Sequence, residues 1–393
     1  MRKVIITNLL ILAVFGSTCF WSVKKERLTA LVDKILTEQT SEDEEILVLT
    51  SSNLAKKNGQ IEETQMSENA DKASEENTTK DYIKWVDFTV SKFALAESYE
   101  YDRDTYGTDR HISWIDLLAW TAAHTGGKFG DDRTVCKCME ELEMEAEAGK
   151  KLEELTEDLE YFPYYREVYE TVLGGMVGEY EIEEPDAQGR KVTQKRYGLK
   201  AFHPIAKGFP YTDYDDFGAS RSYGYRREHL GHDMMGQVGT PVVCVESGYV
   251  EALGWNQYGG WRIGIRSFDK KRYYYYAHLR QGFPYQPELK EGSVVLAGDV
   301  IGYMGHTGYS TKEDVNNIDQ THLHVGMQLI FDESQKDSDN EIWIDCYQIM
   351  GFLYRNQSET ARNDETKEWR RIYEMKDPAA EKYERTLDFS MYP

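Results

Sequence analysis

"HLGHDMMGQVGTPVV", His229 to Val243, decides how this chain is read. It sets two imidazoles and a carboxylate close together, then a Gly-Thr-Pro that opens a new apolar run. Gly231 inside HLGHD argues against a helix, because glycine is a poor helix former. In an extended segment side chains alternate between faces with a period of two. His229 and Asp233 then share a face, and His232 points away. The same logic recurs downstream. In "THLH", Thr321 to His324, His322 and His324 share one face and Leu323 takes the other. Between the two motifs lies "YAHL", Tyr276 to Leu279, which carries His278.

Two imidazoles and a carboxylate form a usual catalytic zinc set, with three protein ligands and a fourth position for water. A closed structural zinc site uses thiolates more often, and no cysteine lies within these motifs. Imidazoles left over beside such a centre suit proton transfer and stabilisation of a tetrahedral oxyanion. The surroundings are strands. "TPVVCVESGYVEALGW", "GWRIGIRSF", "RYYYYAHL" and "SVVLAGDVIGYMG" alternate apolar and polar residues between turn residues. They predict an antiparallel sheet domain from about Phe202 to Phe331. The run Tyr273 to Tyr276 reads as core and cross-strand packing.

These motifs, in this order, resemble the lysostaphin-type (LytM-like) zinc metallopeptidases. The residues that carry the resemblance are His229-Leu230-Gly231-His232-Asp233 with Gly239-Thr240-Pro241-Val242, Gly248-Tyr249-Val250 and Tyr276-Ala277-His278-Leu279. Gly298-Asp299-Val300-Ile301-Gly302, Gly305-His306-Thr307-Gly308 and His322-Leu323-His324 complete it. The resemblance covers about a third of the chain. It implies the duplicated-hybrid-motif fold and one zinc per chain, held by His229, Asp233 and His324. It implies that His322 is the general base or transition-state stabiliser and that His278 polarises the intermediate. It also implies hydrolysis of peptide bonds in bacterial peptidoglycan, either glycine bridges or stem-peptide cross-links. Relatives on this fold also include catalytically silent interaction proteins, in division or sporulation complexes. Those usually lack a ligand, and this chain lacks none.

There are departures from the family pattern. "YSTKEDVNNIDQ", Tyr309 to Gln320, stands where the family runs almost directly into HLH, and is expected to border the groove. Val325 and Gly326 replace an aromatic and a glutamate. His232 is expected to pack or lie at the surface, His203 to be structural, and His306 to be exposed.

The rest of the chain sets the frame. The fold class expected is α+β, a helical N-terminal region followed by a mostly antiparallel β domain. The 393 residues allow two modest domains with connecting segments, and a hydrophobic content of 40% supports a core. A net charge of -23 excludes nucleic acid as a partner, since phosphates need a basic face. The five cysteines form no dense disulfide framework, and Cys136-Lys137-Cys138 lacks the second pair of a zinc site. Residues 1–25 hold a mostly apolar run flanked by basic residues at both ends, which predicts a single-pass membrane anchor without setting its direction; the peptidoglycan substrate that the resemblance implies places the catalytic domain outside the cytoplasm. A secreted form after signal cleavage is the alternative. Residues 26–80 read as a polar, acidic tether. Residues 81–180 read as a helical domain whose role is packing, spacing or docking a partner, for which the resemblance implies a wall-synthesis, division or sporulation protein. Its His111 and His124 lack ligand-spaced neighbours and read as structural or exposed. The metallopeptidase domain is placed at 200–332, and 333–393 is a partly helical C-terminal extension.

Overall fold

Valine, isoleucine and tyrosine at alternate positions fit a pleated, half-buried surface, and they build the sheet here. In the computed structural model the structure describes Ile83, Val86 and residues 88–222, 226–336 and 340–390. Its central strands are β3 (Thr212–Asp213), β6 (His232–Met235), β8 (Gly248–Asn256), β9 (Gly260–Ser267), β10 (Arg272–Ala277), β11 (Val294–Val295) and β13 (His322–Leu329). They lie side by side in the order β11-β8-β9-β10-β13-β6-β3, and β14 (Ile342–Ile344) also pairs with β13. All these pairings are antiparallel. Strand β13 sits between β10 and β6, with His324 opposite Ala277 on one side and Asp233 on the other.

Shorter pieces border this sheet. β4 (Ser220–Ser222) and β5 (Arg226–Glu228) form a hairpin just before the HLGHD motif. β7 (Pro241–Val243) pairs with β12 (Val300–Tyr303), which brings the GTPV motif against the glycine-rich turn.

Seven α-helices occur among the described residues. α1 (Lys92–Thr105), α2 (Trp114–Thr125), α3 (Asp132–Glu147), α4 (Leu152–Thr156) and α5 (Phe162–Leu173) precede the sheet. Ser113 caps α2 by accepting the Asp116 N–H, and Gly126 ends it in the left-handed conformation at φ 63°. The charged stretch from Cys138 to Glu160 is divided between two helices. Gly149 at φ 85° breaks it, a conformation that costs glycine little. Leu95, Leu117, Leu118 and Leu142 from the helices join Ile263, Leu323 and Met350 in one apolar core. The α+β architecture is therefore built around shared packing between helices and sheet.

The C-terminal segment holds more β-structure than its charged sequence predicts. After α6 (Tyr347–Leu353) come a hairpin of β15 (Thr360–Arg362) and β16 (Trp369–Arg371), then β17 (Met375–Lys376) and α7 (Pro378–Ser390). β17 adds to the pair β1 (Val177–Pro185) and β2 (Lys191–Leu199), so the chain returns to the strands that follow α5.

The localisation expected from the sequence needs correction. Among the described residues no helix is long and apolar enough to cross a membrane, against a single-pass membrane assignment. The apolar run 4–23 and the acidic tether lie outside the described residues.

Candidate metal centre

Three donor atoms converge where β13 meets β6. His229 Nε2 lies 3.0 Å from Asp233 Oδ1 and 2.9 Å from His324 Nδ1, and His324 Nδ1 lies 3.0 Å from Asp233 Oδ1. The register places His324 directly across from Asp233, so these two share a face of the sheet. His229 arrives from the loop after β5. Gly231 makes the approach possible, because a Cβ there would lie 2.5 Å from the His324 ring and 2.8 Å from the Val325 carbonyl. This is the one His/Cys/Asp/Glu group able to hold a metal ion among the described residues.

The surrounding hydrogen bonds aim these donors. A carbonyl oxygen only accepts, so the His229 Nδ1 that meets the Asp216 carbonyl at 3.2 Å carries the proton. The His229 Nε2 lone pair is then turned to the centre, an arrangement typical of metal-bound histidines. Arg221 Nη2 donates to Asp233 Oδ2 at 3.1 Å and also pairs with Asp216. The second carboxylate oxygen is thereby fixed, and Oδ1 stays with the two imidazoles. Burial works to raise the Asp233 carboxyl, but the adjacent His229, His324 and His322 rings hold it well below the usual carboxylate range. Such a carboxylate is ionised and ready to bind a cation.

Two further histidines face the same centre. His322, two residues before His324 on β13, has its Nε2 3.7 Å from Asp233 Oδ1. Its Nδ1 donates to the Gln320 carbonyl at 2.8 Å. His278 lies just past the end of β10, with its ring 4.7 Å from that of His322 and 5.9 Å from that of His324. Its Nδ1 donates to the Thr307 carbonyl at 2.9 Å. The His278 backbone is left-handed at φ 60°, held by its N–H to Gly259 O at 2.7 Å and its carbonyl to Gly305 N–H at 3.0 Å. Burial, reinforced by the neighbouring His322 and His324, pushes His278 well below the usual imidazole range. It is neutral at physiological pH, with its Nε2 lone pair open.

The five residues singled out in the sequence, His229, Asp233, His278, His322 and His324, thus lie together. The other histidines do not. His232 is buried on the opposite face, 3.1 Å from Asp213 and against the Tyr347 ring. His203 is buried, with Nδ1 accepting the Ile205 N–H at 3.1 Å. His306, expected to be exposed, is half-buried and donates to the Ile318 carbonyl at 2.8 Å. His111 pairs with Asp102, and His124 bonds back onto its own helix at Trp120 O. Cys136 and Cys138 lie on α3 and join no metal group.

Asp216 and Arg221 were not singled out in the sequence. They sit in "YDDFGASRS", which lacks strand or helix periodicity. Only the turn glycine Gly218, at φ 74°, marks the place. The Tyr309–Gln320 segment folds back on the sheet. Asp314 Oδ1 accepts Trp261 Nε1 at 2.7 Å and Gly282 N–H at 2.8 Å, which pins the segment beside His278.

Comparison with known proteins follows the same residues. Residues 227–338 match Peptidase family M23. The chain is 42% identical over 124 residues to the L-Ala--D-Glu endopeptidase of Bacillus subtilis (strain 168), covering 32% of this chain and 36% of that protein. It is 39% identical over 84 residues to lysostaphin of Staphylococcus simulans, covering 21% and 16%. It is 32% identical over 123 residues to the glycyl-glycine endopeptidase ALE-1 of Staphylococcus capitis, covering 31% of each. The chain spans between 16% and 36% of the length of these curated relatives. Among solved structures, the catalytic domain of S. simulans lysostaphin is 29% identical, with a TM-score of 0.29, over 36% of this chain and 92% of that one.

Proposed function

Taking as premise that residues 227–338 are a Peptidase family M23 domain, we propose that the chain is a zinc metalloendopeptidase acting on bacterial peptidoglycan. The observation that carries this is the triangle of His229 Nε2, Asp233 Oδ1 and His324 Nδ1, with edges of 2.9 to 3.0 Å. A tetrahedral ion with bonds of about 2.0–2.1 Å spaces its donors by roughly 3.3 Å, so the triangle needs to open by only a few tenths of an ångström. Three ligands of this kind leave a position for water or substrate. A zinc ion bound there supplies Lewis acidity and a hydroxide source at neutral pH.

The chain's own residues handle the protons. The Nδ1 protons of His322 and His278 are both committed to carbonyls, so each ring has only Nε2 to offer the site. A proton accepted at either Nε2 makes that atom a donor aimed at the reacting carbon's oxygen or the leaving nitrogen. The two rings lie 4.7 Å apart, and His322 adds to the burial that keeps His278 uncharged. Arg221 keeps Asp233 oriented throughout. The identity to an L-Ala--D-Glu endopeptidase supports a stem-peptide bond beside a glutamyl residue as the target, over a glycine bridge.

The test is a pair of substitutions. His322→Ala and His278→Ala should each retain bound zinc and lower the rate of peptide release by about 10²- to 10⁴-fold. Zinc content by mass spectrometry and release of amine termini from cell walls measure the two effects. Wild-type protein that binds zinc but releases nothing from any peptidoglycan would instead indicate an interaction protein on the same fold.

A further inference from the structure

Among the described residues, a cation beside the candidate metal centre, Arg227, has no carboxylate partner. Arg227 on β5 faces Arg221 on β4 as its register partner, and directly paired residues of a hairpin share a face. Arg221 touches Asp233, so the face carrying Arg227 is the one turned to the centre. Arg227 also precedes His229 by two residues, in keeping with the same side. Its guanidinium lies 5.1 Å from the Tyr309 ring centroid and 5.5 Å from that of Tyr258, and one Nη donates to the Tyr309 hydroxyl. The Tyr309 ring is 6.1 Å from the His278 ring. Among the described residues Arg227 forms no ion pair, and its buried Nε has no hydrogen-bond partner. Arg221, its register partner, is by contrast neutralised by two carboxylates.

The cage around it is built. Tyr309 adopts φ 47°, uncommon for a residue with a side chain, and its N–H donates to the Tyr258 carbonyl at 3.3 Å. Both rings are thus held by their own backbone, and the arginine is stacked between them. In a chain of net charge -23, an arginine kept from every carboxylate among the described residues is left for one supplied from outside.

We propose that Arg227 is a specificity-determining residue that binds the free carboxylate of a glutamyl residue next to the scissile bond. The inference rests on the stem-peptide reading above. A glutamyl residue has two carboxyl groups and uses one to continue the chain, so the other remains as an anion unless it is amidated. A glycine bridge offers no such group. The planar guanidinium fork matches a carboxylate in two parallel hydrogen bonds.

The experiment uses the full chain, loaded with zinc, and two stem peptides that differ at one group. One carries the free glutamyl carboxylate and the other its carboxamide. Wild-type protein should favour the acid by about ten- to a hundredfold in kcat/KM, the range of a charge-assisted hydrogen bond. Arg227→Gln should lose that preference while its rate on the amide changes little, and Arg227→Lys should retain part of it. Equal slowing of both peptides in Arg227→Gln, or no preference in the wild type, overturns the inference. Binding of the same pair with the scissile amide N-methylated, followed by calorimetry, separates the two levels. Preference for the acid that Arg227→Gln abolishes, with no peptide cut, would sink the peptidase reading and uphold the carboxylate site. Equal binding of acid and amide would sink the site.

Discussion

A histidine with one ring nitrogen committed to a carbonyl has only the other to offer. His229, His278 and His322 are all set this way, by Asp216, Thr307 and Gln320 respectively. His203 shows the opposite arrangement, since its Nδ1 accepts a backbone N–H and its buried Nε2 has no partner among the described residues. Burial lowers its pKa to about 4 from an ordinary 6.5. The native state thus takes up this proton less readily than the unfolded chain. The stability it contributes is present above pH 6.5 and is lost as pH falls toward 4, by roughly 3 kcal/mol. His203→Asn, which keeps an acceptor for the Ile205 N–H, should flatten that part of the profile. Denaturant midpoints from pH 7 to pH 4 would show it, and parallel profiles for the two proteins would contradict it. At this scale the sequence was informative where alternation applied. Strand parity was the signal for Asp233, His322 and His324, whereas His229 reaches them from the loop after β5. Asp216 and Arg221 escaped notice because Asp216 meets His229 from a turn and Arg221 meets Asp233 from a three-residue strand.

At the level of elements, β13 does most of the positioning, because it lies between β10 and β6 and brings His322 and His324 to residues far away in sequence. The sheet is fastened to the helices by one buried pair. Arg272, at the start of β10, donates through Nε and Nη2 to both Glu246 oxygens at 2.7 and 2.9 Å, and through Nη1 to the Thr171 carbonyl near the end of α5 at 2.6 Å. Tyr274 adds its hydroxyl to the same carboxylate at 2.7 Å. Removing one member leaves the other charged and buried, which costs about 3–5 kcal/mol. Arg272→Ala should lose that much in chemical denaturation, and Glu246→Leu with Arg272→Met should recover a large part. A single substitution as mild as a surface change, under about 0.5 kcal/mol, would show that the pair does not hold the helices. This contact was hidden in the sequence, where Glu246 and Arg272 are two charges among many. The hairpin β15–β16 was hidden for a related reason. Its three-residue strands are mostly polar, and its pairing is set by long-range contacts such as Trp369 N–H to the Tyr303 hydroxyl at 2.9 Å.

Across the whole molecule, one apolar core joins the helices and the sheet, and the candidate centre lies where the sheet's middle strands deliver it. The alternating strands and the helical stretches were legible from hydrophobic period alone. How they share a core was not, because period says which face is buried and not against what. The direct test of the account is a digest of cell walls with known cross-links, with products read by mass spectrometry before chelation, after it, and after zinc is restored. The account predicts new amine and carboxyl termini at one stem-peptide bond beside a glutamyl residue, abolished by chelation and recovered with zinc. Cleavage that persists without metal, or zinc-loaded protein that releases no peptide from any wall, would contradict it.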